Sequence, residues 1–236
     1  MFVQEAIILA GGLGTRLKEV VGDLPKPMAP VNGRPFLEYL LDYLNHYEIE
    51  HVILSVGYKH EVIVNHFGKK YKGIEIDYCI EDEPLGTGGA IKKAIKYTFS
   101  KKFFVFNGDT LLKMDLLRLM DFHSYKQSDF SIVLRQVEDV SRYGTVDRDE
   151  NYRIFSFNEK GLRVGRGLIN GGTYLISKKF FEKVEFPEKF SIEKDCLEKM
   201  VGSYPFYGTV CKQYFIDIGI PEDYLKAQDD FKEFEY

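Results

Sequence analysis

Four charged side chains in this sequence stand where their charge could be put to work. Arg16 closes a glycine-rich run, Gly11-Gly12-Leu13-Gly14-Thr15-Arg16, and Lys26 follows between Pro25 and Pro27. Where side chains are missing, backbone N–H groups can approach an anion closely. Flanking prolines stiffen the chain around Lys26 and hold its charge in place. Two positioned cations beside such a loop suit a polyanion such as a triphosphate. Asp109 and Asp217 each follow a short apolar stretch, Phe103 to Phe106 and Tyr214 to Ile216. A hard divalent cation bridging phosphates takes one or two carboxylates from protein and the rest from phosphate and water, so the pair fits Mg²⁺. Each Asp can also be read as a turn or capping residue, Asp217 ahead of Pro221 above all.

These groups need a scaffold, and the sequence supplies one. Ala6 to Ala10, His51 to Val56, Ile74 to Ile80, Phe103 to Phe106 and Ser131 to Leu134 read as β runs alternating with helical patterns, the mark of βαβ units. Pro35 is placed as a first helical residue, with Phe36, Leu37, Leu40, Leu41 and Leu44 at helical spacing behind it. Further helices are predicted at 60–67, 88–97 and 115–126, and these four cover a mostly parallel sheet. Beyond about residue 135 the pattern becomes short β runs at 143–147, 153–157, 168–176, 207–211 and 214–218, read as antiparallel additions. Helices follow at 191–200 and from Pro221. The expected fold is a three-layer, Rossmann-like α/β sheet flanked by helices. No linker separates the halves, so residues 1–236 are expected to form one domain. Residues 1–135 would be mainly its nucleotide half and residues 136–236 mainly its sugar-phosphate half.

Neither common phosphate motif accounts for the glycine-rich loop. A dinucleotide site wants an acid at the end of the second strand, where Val52 to Val56 leads into Gly57-Tyr58. A Walker loop wants Gly-Lys-Ser/Thr, and here the chain reads Gly14-Thr15-Arg16. An Asp-x-Asp metal motif, as many glycosyltransferases carry, is also missing, since Asp109 is followed by Thr110-Leu111.

The run from Leu9 to Pro27 resembles the signature of the sugar-phosphate nucleotidyltransferases, or sugar-nucleotide pyrophosphorylases. Pro84-Leu85-Gly86-Thr87-Gly88-Gly89-Ala90 is similar to that family's second base-binding loop, and Asn107-Gly108-Asp109 to its metal-binding strand end. Phe157 to Lys160 and Ile169 to Gly172 resemble its sugar-phosphate segments, and Asp217 to Tyr224 its closing motif. Together these span residues 9–224. The resemblance implies that Arg16 stabilises the leaving phosphates and Lys26 the α-phosphate, with Asp109 and Asp217 on the metal. It places Leu9, Ala10, Gly11, Gly12, Gly14, Thr15, Glu81, Pro84, Gly86, Thr87 and Gly108 on the nucleotide. Glu159, Lys160, Asn170, Gly171 and Glu193 fall on the sugar phosphate. The Glu159-Lys160 pair would otherwise read as a surface ion pair, and the acids near 193 as helix-start residues.

The implied reaction is in-line attack of a sugar 1-phosphate oxygen on the α-phosphorus of an NTP, with pyrophosphate leaving and no protein nucleophile. Within the family the chain most resembles the D-glycero-D-manno-heptose 1-phosphate guanylyltransferases, through GGLGTRL, EPLGTGGAI, LINGGTYLI and FSIEKD. That implies GTP as donor and a GDP-heptose for surface polysaccharide as product. Mannose guanylyl-, glucose thymidylyl- and N-acetylmuramate uridylyltransferases stay open at this stage. So does a non-catalytic nucleotide-sugar-binding homologue.

Composition narrows the partners. Charged residues of both signs are interspersed, with a net charge of −4, so bulk attraction to nucleic acid or an anionic membrane is not expected. Nineteen Phe and 16 Tyr are spread evenly without a basic groove, which assigns most of them to the core. Cys79, Cys196 and Cys211 lack metal or disulfide spacing, the five histidines form no metal pattern, and the opening residues are neither signal peptide nor span. The expected compartment is the cytoplasm, and nothing in the sequence forbids a homo-oligomer.

Overall fold

The computed structural model describes residues 3–12, 17–158 and 160–234, apart from the side chains of residues 18 and 19. The first half runs β1 (Glu5–Ala10), α1 (Lys18–Val21), β2 (Pro30–Val31), β3 (Arg34–Pro35), α2 (Phe36–His46), β4 (His51–Val56) and α3 (His60–Phe67). It continues through β5 (Lys70–Tyr71), β6 (Ile74–Ile80), α4 (Gly86–Ala94), β7 (Lys102–Asn107), β8 (Thr110–Leu112) and α5 (Leu116–Tyr125). The second half adds β9 (Phe130–Val137), β10 (Thr145–Arg148), β11 (Ile154–Asn158), β12 (Gly167–Ser177), α6 (Lys178–Lys183), β13 (Tyr207–Cys211), β14 (Phe215–Asp217) and α7 (Pro221–Asp230). A π-helical turn spans Ile192–Glu198.

The centre is the parallel set β7-β1-β4-β6, with Ile8 facing Phe106 on one side and Leu54 on the other. Side chains alternate across it. Ala6, Ile8, Leu54, Phe104 and Phe106 pack on one face under α2, α3 and α5, while Ile7, Ile53, Phe103 and Val105 pack on the other under α4, α6 and the π-helical turn. Strands apolar on both faces are what a sheet sandwiched between helices requires. The three-layer α/β expectation is met.

β12 joins antiparallel to β7 through Thr173–Ser177, and its other edge takes β9. The strand predicted at 131–134 therefore lies outside the parallel set, because β12 already occupies the open edge of β7. β13 runs parallel to β9, not antiparallel as expected. β10, β11, β12, α6 and the π-helical turn all lie between β9 and β13, far more chain than the crossover of a parallel return needs. The predicted 214–218 strand pairs with β8 in a separate two-stranded ribbon that α7 covers through Tyr224 and Ala227. Pro35 is paired with Pro30 and caps α2 rather than starting it. α6, β8 and the β2–β3 hairpin were not anticipated.

Candidate active site

The parallel strands end on one edge, and the chemistry gathers there, as the ligand rule for open α/β sheets requires. β1 runs into Gly11, β6 into Glu81 and β7 into Gly108-Asp109. Leu9, Gly11, Gly12, Glu81, Pro84, Gly86, Thr87, Ala90, Asn107 and Asp109 line a cavity of about 290 Å³. Glu81 braces it: one carboxylate oxygen accepts from Ser55 Oγ at 3.0 Å and the other from the Leu85 N–H at 3.1 Å.

The glycines of the second loop have a packing reason. A Cβ on Gly86 would lie 2.6 Å from the Phe190 carbonyl oxygen, which accepts from the Gly88 and Gly89 N–H groups at 3.0 and 3.1 Å. Any side chain would push this loop off the 186–190 segment and out of the cavity wall.

A second cavity, of about 340 Å³, adjoins the first and shares Thr87 and Asn107 with it. Its walls include Lys160, Asn170, Gly171, Glu193 and Asp217, with Tyr143, Phe157 and Phe215 supplying apolar surface. β12 bends past the end of β7 here, with a register break between Asn170 and Tyr174. Gly172 takes φ +70° at the break, and a Cβ there would meet the Asn107 side chain at 2.8 Å. The Asn170 amide is oriented from both ends, its oxygen accepting from the Gly172 N–H and its nitrogen donating to the buried Tyr174 hydroxyl at 2.6 Å. Ser191 and Asp195 cap the π-helical turn reciprocally, through Ser191 Oγ with the Lys194 N–H and Asp195 with the Ser191 N–H. Glu193 is thereby left to the cavity, where it accepts from Thr87 Oγ1 at 2.6 Å and Ser191 Oγ at 2.9 Å.

The two cavities meet at a charged junction. Asp109 lines the first and Asp217 the second. The β8–β14 ribbon brings them together, with Asp217 opposite Thr110 and the Ile218 N–H donating to the Asp109 carbonyl at 3.0 Å. Lys26, 9% exposed, sends its ammonium between them, hydrogen-bonded to Asp109 and 3.6 Å from Asp217 Oδ1. Burial alone would raise the Asp109 carboxyl, yet Lys26 and the Thr110 hydroxyl outweigh it and hold it below the ordinary carboxylate range. Asp217 moves the other way, pushed up by burial and by the negative Asp109 against the pull of Lys26. Such a split is the behaviour of two carboxylates sharing one cation. Among the described residues no third His, Cys, Asp or Glu joins them.

Most of the site residues predicted from sequence converge on these walls. Ala10 is buried in the core beneath α2, and its side chain lines neither cavity. Gly108 also lines neither, but a Cβ there would meet the Leu9 carbonyl at 2.8 Å, so its glycine lets β7 turn back against β1. Gly14, Thr15, Arg16 and Glu159 lie outside the described residues. Sequence reasoning missed Asn107, Thr110, Tyr143, Phe157 and Phe215 as lining residues. Asn107 and Phe157 stood inside segments that the resemblance named, without a role of their own; Tyr143 and Phe215 read only as core.

A family model for nucleotidyl transferase matches residues 5–233. D-glycero-alpha-D-manno-heptose 1-phosphate guanylyltransferase of Aneurinibacillus thermoaerophilus is 50% identical over 230 residues, which cover 98% of this chain and 99% of that protein. The protein of the same name from Campylobacter jejuni is 47% identical over 93% of this chain and 96% of its own length. Crystal structures of HddC from Yersinia pseudotuberculosis, alone and complexed with GMP-PN, superpose with TM-scores of 0.87 and 0.86 at 47% identity, over 98% of this chain and 100% of that one.

Proposed function

Because the chain belongs to the nucleotidyl transferase family, we propose that it transfers a guanylyl group from GTP to D-glycero-α-D-manno-heptose 1-phosphate. The products are GDP-heptose and pyrophosphate. The observation that carries this reading is the junction: two cavities, one lined by Gly11, Gly12 and Glu81 and one by Lys160, Asn170 and Glu193, meet at Lys26, Asp109 and Asp217. The relatives' names supply the base and the sugar.

The residues then divide the work. Leu9, Gly11, Gly12, Glu81, Pro84, Gly86 and Thr87 hold the nucleotide. Asn170 and Glu193, each already fixed by protein partners, turn their remaining hydrogen-bonding capacity to the sugar hydroxyls. Lys160 meets the 1-phosphate, Lys26 faces the α-phosphate, and Arg16 is assigned to the leaving phosphates. An already ionised phosphate needs no general base, so catalysis consists of bringing two anions together and countering their charge. The two halves serve as one domain: the first lines the nucleotide cavity, and both wall the second, Thr87, Asn107 and Thr110 from one and Lys160, Asn170 and Glu193 from the other.

The carboxylate pair suits Mg²⁺. Asp109 and Asp217 offer hard oxygen donors converging on one point, and two protein carboxylates are what such an ion takes when phosphates complete its shell. When bound, Mg²⁺ supplies charge neutralisation to the triphosphate. No helix among the described residues is long and apolar enough to cross a membrane. The three cysteines are free and buried, which fits the reducing cytoplasm where we place the reaction.

The test is pyrophosphate release from the four common NTPs against a panel of sugar 1-phosphates with Mg²⁺. GTP with the heptose 1-phosphate is expected to give the highest kcat/KM. No release with any pair would leave a nucleotide-sugar-binding protein as the better reading.

A further inference from the structure

Tyr174 sits where β12 is paired on both sides, opposite Val105 of β7 and Ile132 of β9. Its ring is fully buried and meets Phe130 edge-on, with 5.7 Å between centroids. A phenylalanine would fill that space as well, and a buried hydroxyl costs free energy unless it is bonded. The hydroxyl therefore matters through its partners. Tyr174 lines neither cavity, yet its hydroxyl bonds two side chains that line the second, Asn170 and Glu193.

The protons of this cluster have one arrangement. The Gly172 N–H can only donate, so the Asn170 amide turns its oxygen to Gly172 and its nitrogen to Tyr174. The Tyr174 oxygen then accepts from Asn170, and its own proton goes to the Glu193 carboxylate. Burial, together with that negative charge, pushes the phenol well above its ordinary pKa and keeps the proton on it. Thr87 and Ser191 are committed in the same way. Their hydroxyl oxygens accept the N–H groups of Ile192 at 2.9 Å and Lys194 at 3.2 Å, so both donate to Glu193 Oε2.

What remains for the cavity is thereby fixed. Asn170 keeps one N–H and one lone pair, and of the roughly four acceptor sites of the Glu193 carboxylate one is left. A free donor beside a free acceptor matches two neighbouring hydroxyls of a sugar, and the carboxylate takes the proton of a third. We propose that Tyr174 is the positioning residue of the sugar 1-phosphate cavity: without touching the substrate, it holds Asn170 and Glu193 in the one arrangement that reads the sugar hydroxyls. The proposal deepens the transfer reading and rests on it.

The test is steady-state kinetics of Tyr174→Phe with GTP and the heptose 1-phosphate each varied. KM for the sugar 1-phosphate is expected to rise about 10-fold, as loss of a hydrogen bond to a charged group does, while kcat and KM for GTP stay within about twofold. A second background separates positioning from packing. In a variant carrying Asn170→Ala and Glu193→Ala nothing is left to position, so adding Tyr174→Phe should change kcat/KM for the sugar 1-phosphate by less than about twofold; a packing defect would cost the same in both backgrounds. An unchanged KM in Tyr174→Phe overturns the proposal, and so does an equal loss in both backgrounds. A wild-type crystal structure with the heptose 1-phosphate needs no variant: Asn170 and Glu193 should contact the sugar and the Tyr174 hydroxyl should not. A contact between that hydroxyl and the sugar, or a sugar that meets neither Asn170 nor Glu193, overturns it. Absence of wild-type turnover with every NTP and sugar 1-phosphate would instead defeat the transfer reading, and this proposal with it.

Discussion

Asp109 lines one cavity and Asp217 the other, and both carboxylates converge on the single ammonium of Lys26. In the proposed reaction the pair marks the boundary that the transferred phosphorus crosses. Lys26→Ala is expected to lower kcat by about 10²- to 10³-fold, the usual cost of removing a positioned charge. It also leaves two carboxylates facing one another, so its melting temperature should fall. Added Mg²⁺ should restore more of that loss than it adds to the wild type. Thermal denaturation with and without Mg²⁺ checks this, and an equal Mg²⁺ effect on both proteins would count against a shared site.

Asp109→Asn removes one of the two anionic oxygen donors and keeps the side chain's shape. We expect its activity to need at least about 10-fold more Mg²⁺ for half-maximal rate, since metal affinity follows ligand charge and count. A Mg²⁺ titration that superposes on the wild type would remove Asp109 from the metal.

Thr87 joins the cavities, accepting from the Ile192 N–H at 2.9 Å while donating to Glu193. Thr87→Val is nearly isosteric but strands that N–H and takes one donor from the Glu193 carboxylate, which Ser191 Oγ still holds, at a cost of about 1–3 kcal/mol. The expected signature is a rise of about 10-fold in KM for the sugar 1-phosphate with a smaller change for GTP. Steady-state kinetics with each substrate varied separately decides it.

His123 gives the fold an acid-sensitive point away from the site. It is fully buried, bonded through Nδ1 to Ser131 Oγ at 2.8 Å, and burial with the nearby Lys102 lowers its pKa from 6.5 to about 4. Above pH 6.5 the ring is neutral in both folded and unfolded chains. As pH falls from 6.5 toward 4 the unfolded chain takes up a proton that the native one does not, so stability is lost, by about 3 kcal/mol once pH reaches 4. Melting temperatures between pH 7 and 4.5 should fall more steeply in the wild type than in His123→Leu.

The parallel core was legible because short continuous apolar runs such as His51–Val56, set between helical patterns, have few other solutions, and the glycine loops because their residues are rare in combination. What sequence could not supply was the pairing of distant segments. Nothing in Tyr214–Asp217 says that it joins Thr110–Leu112 and not the main sheet, yet that ribbon sets Asp217 beside Asp109. The family resemblance put Glu193 on the sugar phosphate, but its own residue pattern did not. Three polar residues, Ser191, Glu193 and Asp195, start one turn, and only the fold shows that Ser191 and Asp195 satisfy each other while Glu193 reaches Thr87. Tyr143 and Phe215 looked like core residues for a related reason, because an aromatic in a cavity wall has the same sequence pattern as one packed inside.

The most direct test of the account is a co-crystal structure with a non-hydrolysable GTP analogue and the heptose 1-phosphate. It should show guanine at Glu81, the sugar between Asn170 and Glu193, and the attacking phosphate oxygen about 3–3.5 Å from the α-phosphorus beside Lys26. A triphosphate seated away from Asp109, or a sugar phosphate outside the cavity that Asp217 lines, would contradict it.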